Sequence, residues 1–230
     1  DAAAAGAAGA AAEGAPGGDV LFLHGFGCLA PAACRVFQAI EQEAEALGGV
    51  RVRAPSYHPD GCVSATRLPV ALDELRDMAA ALPGGRFSAV VGYSVGGLLA
   101  ALLQEGHPEL VGRAVLLAPA IDNYNRNFAE VPRGRWYMPP AYVEELRGLT
   151  ARPPIRVPTV CVHGELDDDA GGSCPWRVRE WAAAEPFERC IFLPGVGHDL
   201  QPWLTTGVDG VPGLGELVAW GLGVEAFERR

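Results

Sequence analysis

Short apolar and β-branched runs, each closed by Gly or Pro, alternate along this chain with stretches whose apolar residues recur every three or four positions. The runs DVLFLHG (19–25), VRVRAP (50–55), RFSAVVGY (86–93), RAVLLAP (113–119), PTVCVHG (158–164) and ERCIFLPG (188–195) predict six strands. Helical spacing predicts helices over about 30–47, 67–82, 95–105, 175–185 and 214–228. The second of these carries Leu68, Leu72, Leu75, Ala79 and Leu82 on one face. Nearly unbroken apolar strands alternating with helices predict an α/β fold, a mostly parallel sheet of about six strands with helices on both faces. Right-handed crossovers put every strand C-terminus on one edge of such a sheet, and ligands bind at that edge. His24, Ser94, Asp122, Asp167 and His198 all stand at or just after the end of a predicted strand.

Two stretches break the rhythm. Residues 1–18 contain ten Ala and five Gly and no large apolar side chain, which predicts a disordered tail. The sequence begins on Asp rather than Met and has no basic residue before Arg35. It therefore reads as a fragment or a processed chain, with nothing resembling a signal or transit peptide. Residues 121–157 exceed the roughly 15 residues of an ordinary connection. They hold Tyr124, Phe128, Trp136, Tyr137 and Tyr142, too many aromatics for a linker. This segment predicts a short lid over the ligand-binding edge, inserted in a single domain spanning 19–230. Trp136, Tyr137 and Met138 of the lid, with Tyr93, are the candidate substrate-binding residues.

Composition narrows the chemistry. The 230 residues are 49% hydrophobic, enough for one globular core. Acidic residues number 28 against 18 basic ones, for a net charge of -10, and every basic residue is Arg. The absence of lysine excludes a Schiff-base lysine and a Walker-type phosphate loop. The acidic balance argues against nucleic acid as a partner. No apolar run approaches the ~18 residues of a membrane span. Of the six cysteines, Cys161 and Cys190 lie in apolar runs and read as buried thiols, and no C-x-x-C pair suggests zinc. Reduced thiols point to the cytoplasm or another reducing compartment.

The sharpest local signal is GYSVGG (92–97), where a strand runs straight into a helix. A serine hydroxyl needs a base to take its proton, and it must stand clear of the backbone to meet a carbonyl carbon. A tight strand-to-helix turn exposes it, and requires small residues two positions to either side, as Gly92, Gly96 and Gly97 are. A base and an acid should follow in the order Ser, Asp/Glu, His. His198, in the loop after the last strand, is the candidate base. Asp167, Asp168 and Asp169 compete as the acid, with Asp122 as a rival after the fourth strand. His24 and His163 precede glycines at strand ends and read as loop-holding residues. Backbone N–H groups of Phe26, in HGFG, and of Val95 are the candidate oxyanion donors.

HGFG (24–27), GYSVGG (92–97), HGELD (163–167) and GVGHD (195–199), in that order, resemble the α/β-hydrolase fold superfamily over about residues 19–228. The resemblance implies a serine esterase or thioesterase acting on a small-molecule acyl substrate, with no metal or organic cofactor. It selects Asp167, three residues after the glycine of HGELD, as the acid. It also implies a lid between the fourth and fifth strands. Two antiparallel strands that usually lead the fold are not evident before residue 19, so the chain reads as a reduced or truncated version. A dinucleotide-binding domain is the nearest rival from another class, because HGFGCLA contains Gly-x-Gly-x-x-Ala after a strand. That domain needs an acid ending its second strand, and here none occurs until Asp60. A non-hydrolytic receptor or pseudoenzyme of the same fold is the other alternative.

Overall fold

The computed structural model of the protein describes residues 18–25, 34–55, 68–121, 152–168 and 174–224. Six strands form one sheet: β1 (Gly18–Leu23), β2 (Val50–Arg53), β3 (Phe87–Tyr93), β4 (Val111–Leu117), β5 (Thr159–Gly164) and β6 (Arg189–Leu193). Their order is β2-β1-β3-β4-β5-β6, and every neighbouring pair is parallel. The helices are α1 (Arg35–Leu47), α2 (Leu68–Ala80), α3 (Val95–Gly106), α4 (Pro175–Ala184), the single-turn α5 (Trp203–Thr206) and α6 (Leu214–Gly221).

Side-chain alternation along the strands divides the interior into two layers. Leu21, Leu23, Val90, Ala114, Leu116 and Cys161 face the layer filled by α2, α3 and α4. Val20, Phe22, Val91, Val115, Leu117, Val160 and Val162 face the other, filled by α1 and α6. Both faces of the sheet are thus covered, which is why its inner strands read as apolar runs, whereas the edge strand β2, VRVR, alternates. Every residue of α3 from Val95 to Gln104 is buried, as a helix sandwiched between the sheet and α2 must be.

One buried polar side chain ties α3 to the chain entering β5. Gln104 of α3 donates through Nε2 to the carbonyls of Ala101 (2.9 Å) and Pro154 (2.8 Å). Its Oε1 accepts from the backbone N–H of Arg156 (2.6 Å) and Val157 (3.3 Å). Trp181 of α4 donates its indole N–H to Pro153 O at 3.0 Å. Chain entering β5 is therefore held by side chains of α3 and α4. At the opposite edge of the sheet, Asp19 at the start of β1 accepts from Arg51 (2.9 Å) and Arg53 (2.6 Å) of β2.

The sheet edge after β1 and β3 is where strand order changes direction, since β2 lies to one side of β1 and β4–β6 lie beyond β3. Open α/β sheets bind ligands at such a switch point. The expected tail at 1–18 lies outside the described residues except Gly18, which opens β1. The expected lid does too, apart from Ile121 and residues 152–157. No helix among the described residues is long and apolar enough to cross a membrane.

Candidate active site

Ser94 occupies the turn between β3 and α3 with φ 56 and ψ -120. A non-glycine residue at this positive φ is strained, by an amount of order 1–3 kcal/mol, and is held there only by its surroundings. Its N–H donates to Leu117 O of β4 at 2.9 Å, and its carbonyl accepts from Gly97 N (2.9 Å) and Ala120 N (3.0 Å). The turn is also sterically closed. A Cβ at Gly96 would overlap the carbonyl oxygen of Leu23, and one at Gly92 would overlap that of Gly96. Strand β1, strand β3 and the first turn of α3 thus meet backbone to backbone, and the serine side chain is what projects from the junction.

His198 reaches Ser94 from the loop after β6. Its Nε2 lies 2.9 Å from Ser94 Oγ, and its Nδ1 lies 2.8 Å from Asp167 Oδ2. With the Nδ1–H tautomer the two contacts are complementary: Nδ1–H donates to the carboxylate, and Nε2 accepts from the serine hydroxyl. Asp167 has a fully buried side chain, whereas that of His198 is 20% exposed. Asp167, the first of the three consecutive acids, has its carboxylate on the imidazole. Asp169 and Asp122 lie outside the described residues.

The loops that carry Asp167 and His198 are stitched to each other. Glu165 N–H donates to Leu193 O (2.9 Å), and Leu166 N–H donates to Val196 O (2.8 Å). Gly164 lies so close beneath the second loop that a Cβ there would overlap Val196 O. Tyr93, the residue before the serine, donates its hydroxyl to His198 O at 3.2 Å, and its ring centroid is 5.6 Å from that of the imidazole. Sequence reasoning had Tyr93 only as a substrate contact and missed this link, which joins residues 105 positions apart.

Two further histidines are buried nearby. His24, at the end of β1, has its Nδ1 3.0 Å from Gly25 O. Burial pushes its pKa down, against a smaller upward effect of that hydrogen bond. His163 has its Nε2 3.5 Å from Asp167 Oδ2, with both side chains wholly buried. Its readable signal was the four-residue spacing to Asp167 across a strand end, but only the fold of that turn brings the two side chains together.

Val95 is the first residue of α3, so helix geometry leaves its N–H without an intrahelical acceptor, beside the serine. Phe26, Trp136, Tyr137 and Met138 lie outside the described residues. Among the described residues, no group of three or more His, Cys, Asp and Glu side chains is placed to hold a metal ion. Cys34, Cys161, Cys174 and Cys190 form no disulfide with one another.

No protein-family model and no curated protein sequence matches the chain. Solved structures do. Est1E from Butyrivibrio proteoclasticus superposes with a TM-score of 0.64 at 16% identity, covering 91% of this chain and 87% of its own. A meta-cleavage product hydrolase from Pseudomonas fluorescens gives 0.64 at 17% identity, over 90% and 91% of the two chains. Alpha/beta hydrolase domain-containing protein 10 from mouse gives 0.62 at 19% identity, over 78% and 81%. The chain has the α/β-hydrolase fold, with a six-stranded, all-parallel sheet.

Proposed function

We propose that this protein is a serine hydrolase that cleaves a small-molecule carboxylic ester or thioester through an acyl-enzyme. The observation that carries the proposal is the relay of 2.9 Å and 2.8 Å contacts from Ser94 through His198 to Asp167, starting from a strained elbow. Hydrolases among the structural neighbours support the general activity.

In this reading Ser94 Oγ attacks the acyl carbonyl while His198 Nε2 takes its proton. The imidazolium then gives that proton to the departing alkoxide or thiolate. Asp167 keeps the Nδ1–H tautomer and stabilises the cation. Backbone N–H groups of Val95 and Phe26 hold the oxyanion, which needs donors aimed where charge develops. Water, activated by the same histidine, releases the acid and restores the serine. Trp136, Tyr137 and Met138 line the acyl pocket in this reading, as part of a lid at about 121–157. The body bearing the site is one domain.

Ser94→Ala is the test. The variant is expected to fold, to lose turnover of acyl esters and to lose labelling by a fluorophosphonate probe. Persistence of either activity would sink the assignment. A parent protein that binds an ester without steady turnover would favour the receptor reading of the same fold instead.

A further inference from the structure

We propose that His163 is a positioning residue for this reaction, a second imidazole that fixes the Asp167 carboxylate so that Oδ2 stays aimed at His198. The proposal rests on the serine-hydrolase reading. A carboxylate taken out of water loses solvation that only nearby donors and dipoles replace. Asp167 has no side-chain exposure. One strong bond reaches it, from His198, at Oδ2. Its other oxygen, Oδ1, is buried with no hydrogen-bond partner among the described residues. The wholly buried ring of His163 stands next to the same Oδ2, at 3.5 Å.

That separation is too long for a directional hydrogen bond, so with the Nε2–H tautomer the contact acts as an N–H dipole beside a charge. In a dry interior such contacts are weakly screened. The ring is also held. It meets Phe192, its partner in the β5–β6 register, at 6.3 Å between centroids with the planes 68° apart. Gly164, packed under Val196, fixes the turn that separates His163 from Asp167. A group on a strand thus faces the acid, while His198 sits on a loop that must accommodate proton transfer. A carboxylate free to rotate would give His198 a poorer partner when it becomes cationic. It would not change how the ester binds.

The expected result for His163→Leu, assayed with p-nitrophenyl acetate, is a loss of about 10- to 100-fold in kcat with KM nearly unchanged, the scale seen when a supporting contact to a site ligand is removed. His163→Gln, whose amide N–H can occupy the place of Nε2–H, should recover most of it. In an Asp167→Asn background the Leu substitution should cost less than about twofold, because a residue acting through Asp167 has nothing left to act on. Equal losses in both backgrounds would overturn the proposal, as would a kcat for His163→Leu within about twofold of the parent. If the Leu variant does not fold, His163→Met, which also lacks the N–H, carries the same comparison in both backgrounds. A second readout does not depend on turnover. The downfield proton resonance of His198 Nδ1–H, which reports its bond to Asp167, should shift or vanish in His163→Leu and persist in Ser94→Ala. An unchanged resonance overturns the positioning role. A parent that neither turns over esters nor takes the fluorophosphonate label defeats the hydrolase reading, and the resonance still decides the contact.

Discussion

At the scale of single residues, the turn at Ser94 holds the tightest of the described glycine positions. Gly96 touches the carbonyl of Leu23, and backbone cannot swing away as a side chain can. Gly96→Ala is expected to cost at least about 3 kcal/mol or to prevent folding. Gly106, at the other end of α3, has open space where an added methyl group would stand, so Gly106→Ala should be neutral or slightly stabilising. Urea denaturation of the two variants makes the comparison, and similar stabilities would refute the steric account. The glycines of GYSVGG were legible in sequence because a serine turn of this kind needs small neighbours. The partner of Gly96, a carbonyl on a different strand, was not, because strand adjacency leaves no trace in local spacing. The pairing of His163 with Asp167 escaped for a similar reason: both residues were visible, but the turn between them decides whether their side chains converge.

At the scale of elements, periodicity carried six strands and most helices. Apolar runs show that a strand is buried on both faces; they do not say which strand lies beside which. The order β2-β1-β3-β4-β5-β6 is a property of the crossovers. Strand β4 begins at Val111, earlier than the apolar run at 113–119 suggested, because Val111 pairs with Phe87 although Gly112 interrupts the pattern. The one-turn α5 has too few residues for a helical period. Gln104 would be read by composition as a solvent-facing position in α3. It is instead the group that satisfies backbone entering β5. Gln104→Leu keeps the volume and removes those bonds. A peptide group left without a partner costs roughly 1–3 kcal/mol where water cannot replace the amide, and Pro154, Arg156 and Val157 are only partly covered, so the variant should lose about 2–4 kcal/mol in all. Chemical denaturation checks this, and a change below about 0.5 kcal/mol would mean that water or a local shift replaces the amide.

For the molecule as a whole, His24 links stability to pH. Its folded pKa lies below the ordinary value of 6.5 because burial disfavours the cation. Above about 6.5 neither folded nor unfolded chain carries this proton, and the contribution is complete. As pH falls below that value, the unfolded chain binds a proton that the folded chain does not, and stability is lost until the folded pKa is passed. The slope from this one group is at most about 1.4 kcal/mol per pH unit. His24→Gln should flatten the fall in urea midpoint between pH 7 and pH 5.5, whatever it does to stability at neutral pH; parallel falls would show that His24 is not the source. The sheet has a further property, which follows from its seam between β4 and β5. Four strands on one side carry Ser94, while two on the other lead to Asp167 and His198. Within the sheet the halves meet in one strand pair, Ala114–Leu117 against Thr159–Val162; outside it α6 packs on α1, β3 and β4, Tyr93 bonds His198, and Gln104 bonds the chain entering β5. A gene divided between codons 121 and 152 therefore yields two fragments, each holding an incomplete relay. Under the proposed hydrolase reading, reassembly of these contacts restores the relay, and the two pieces would report the proximity of whatever is fused to them.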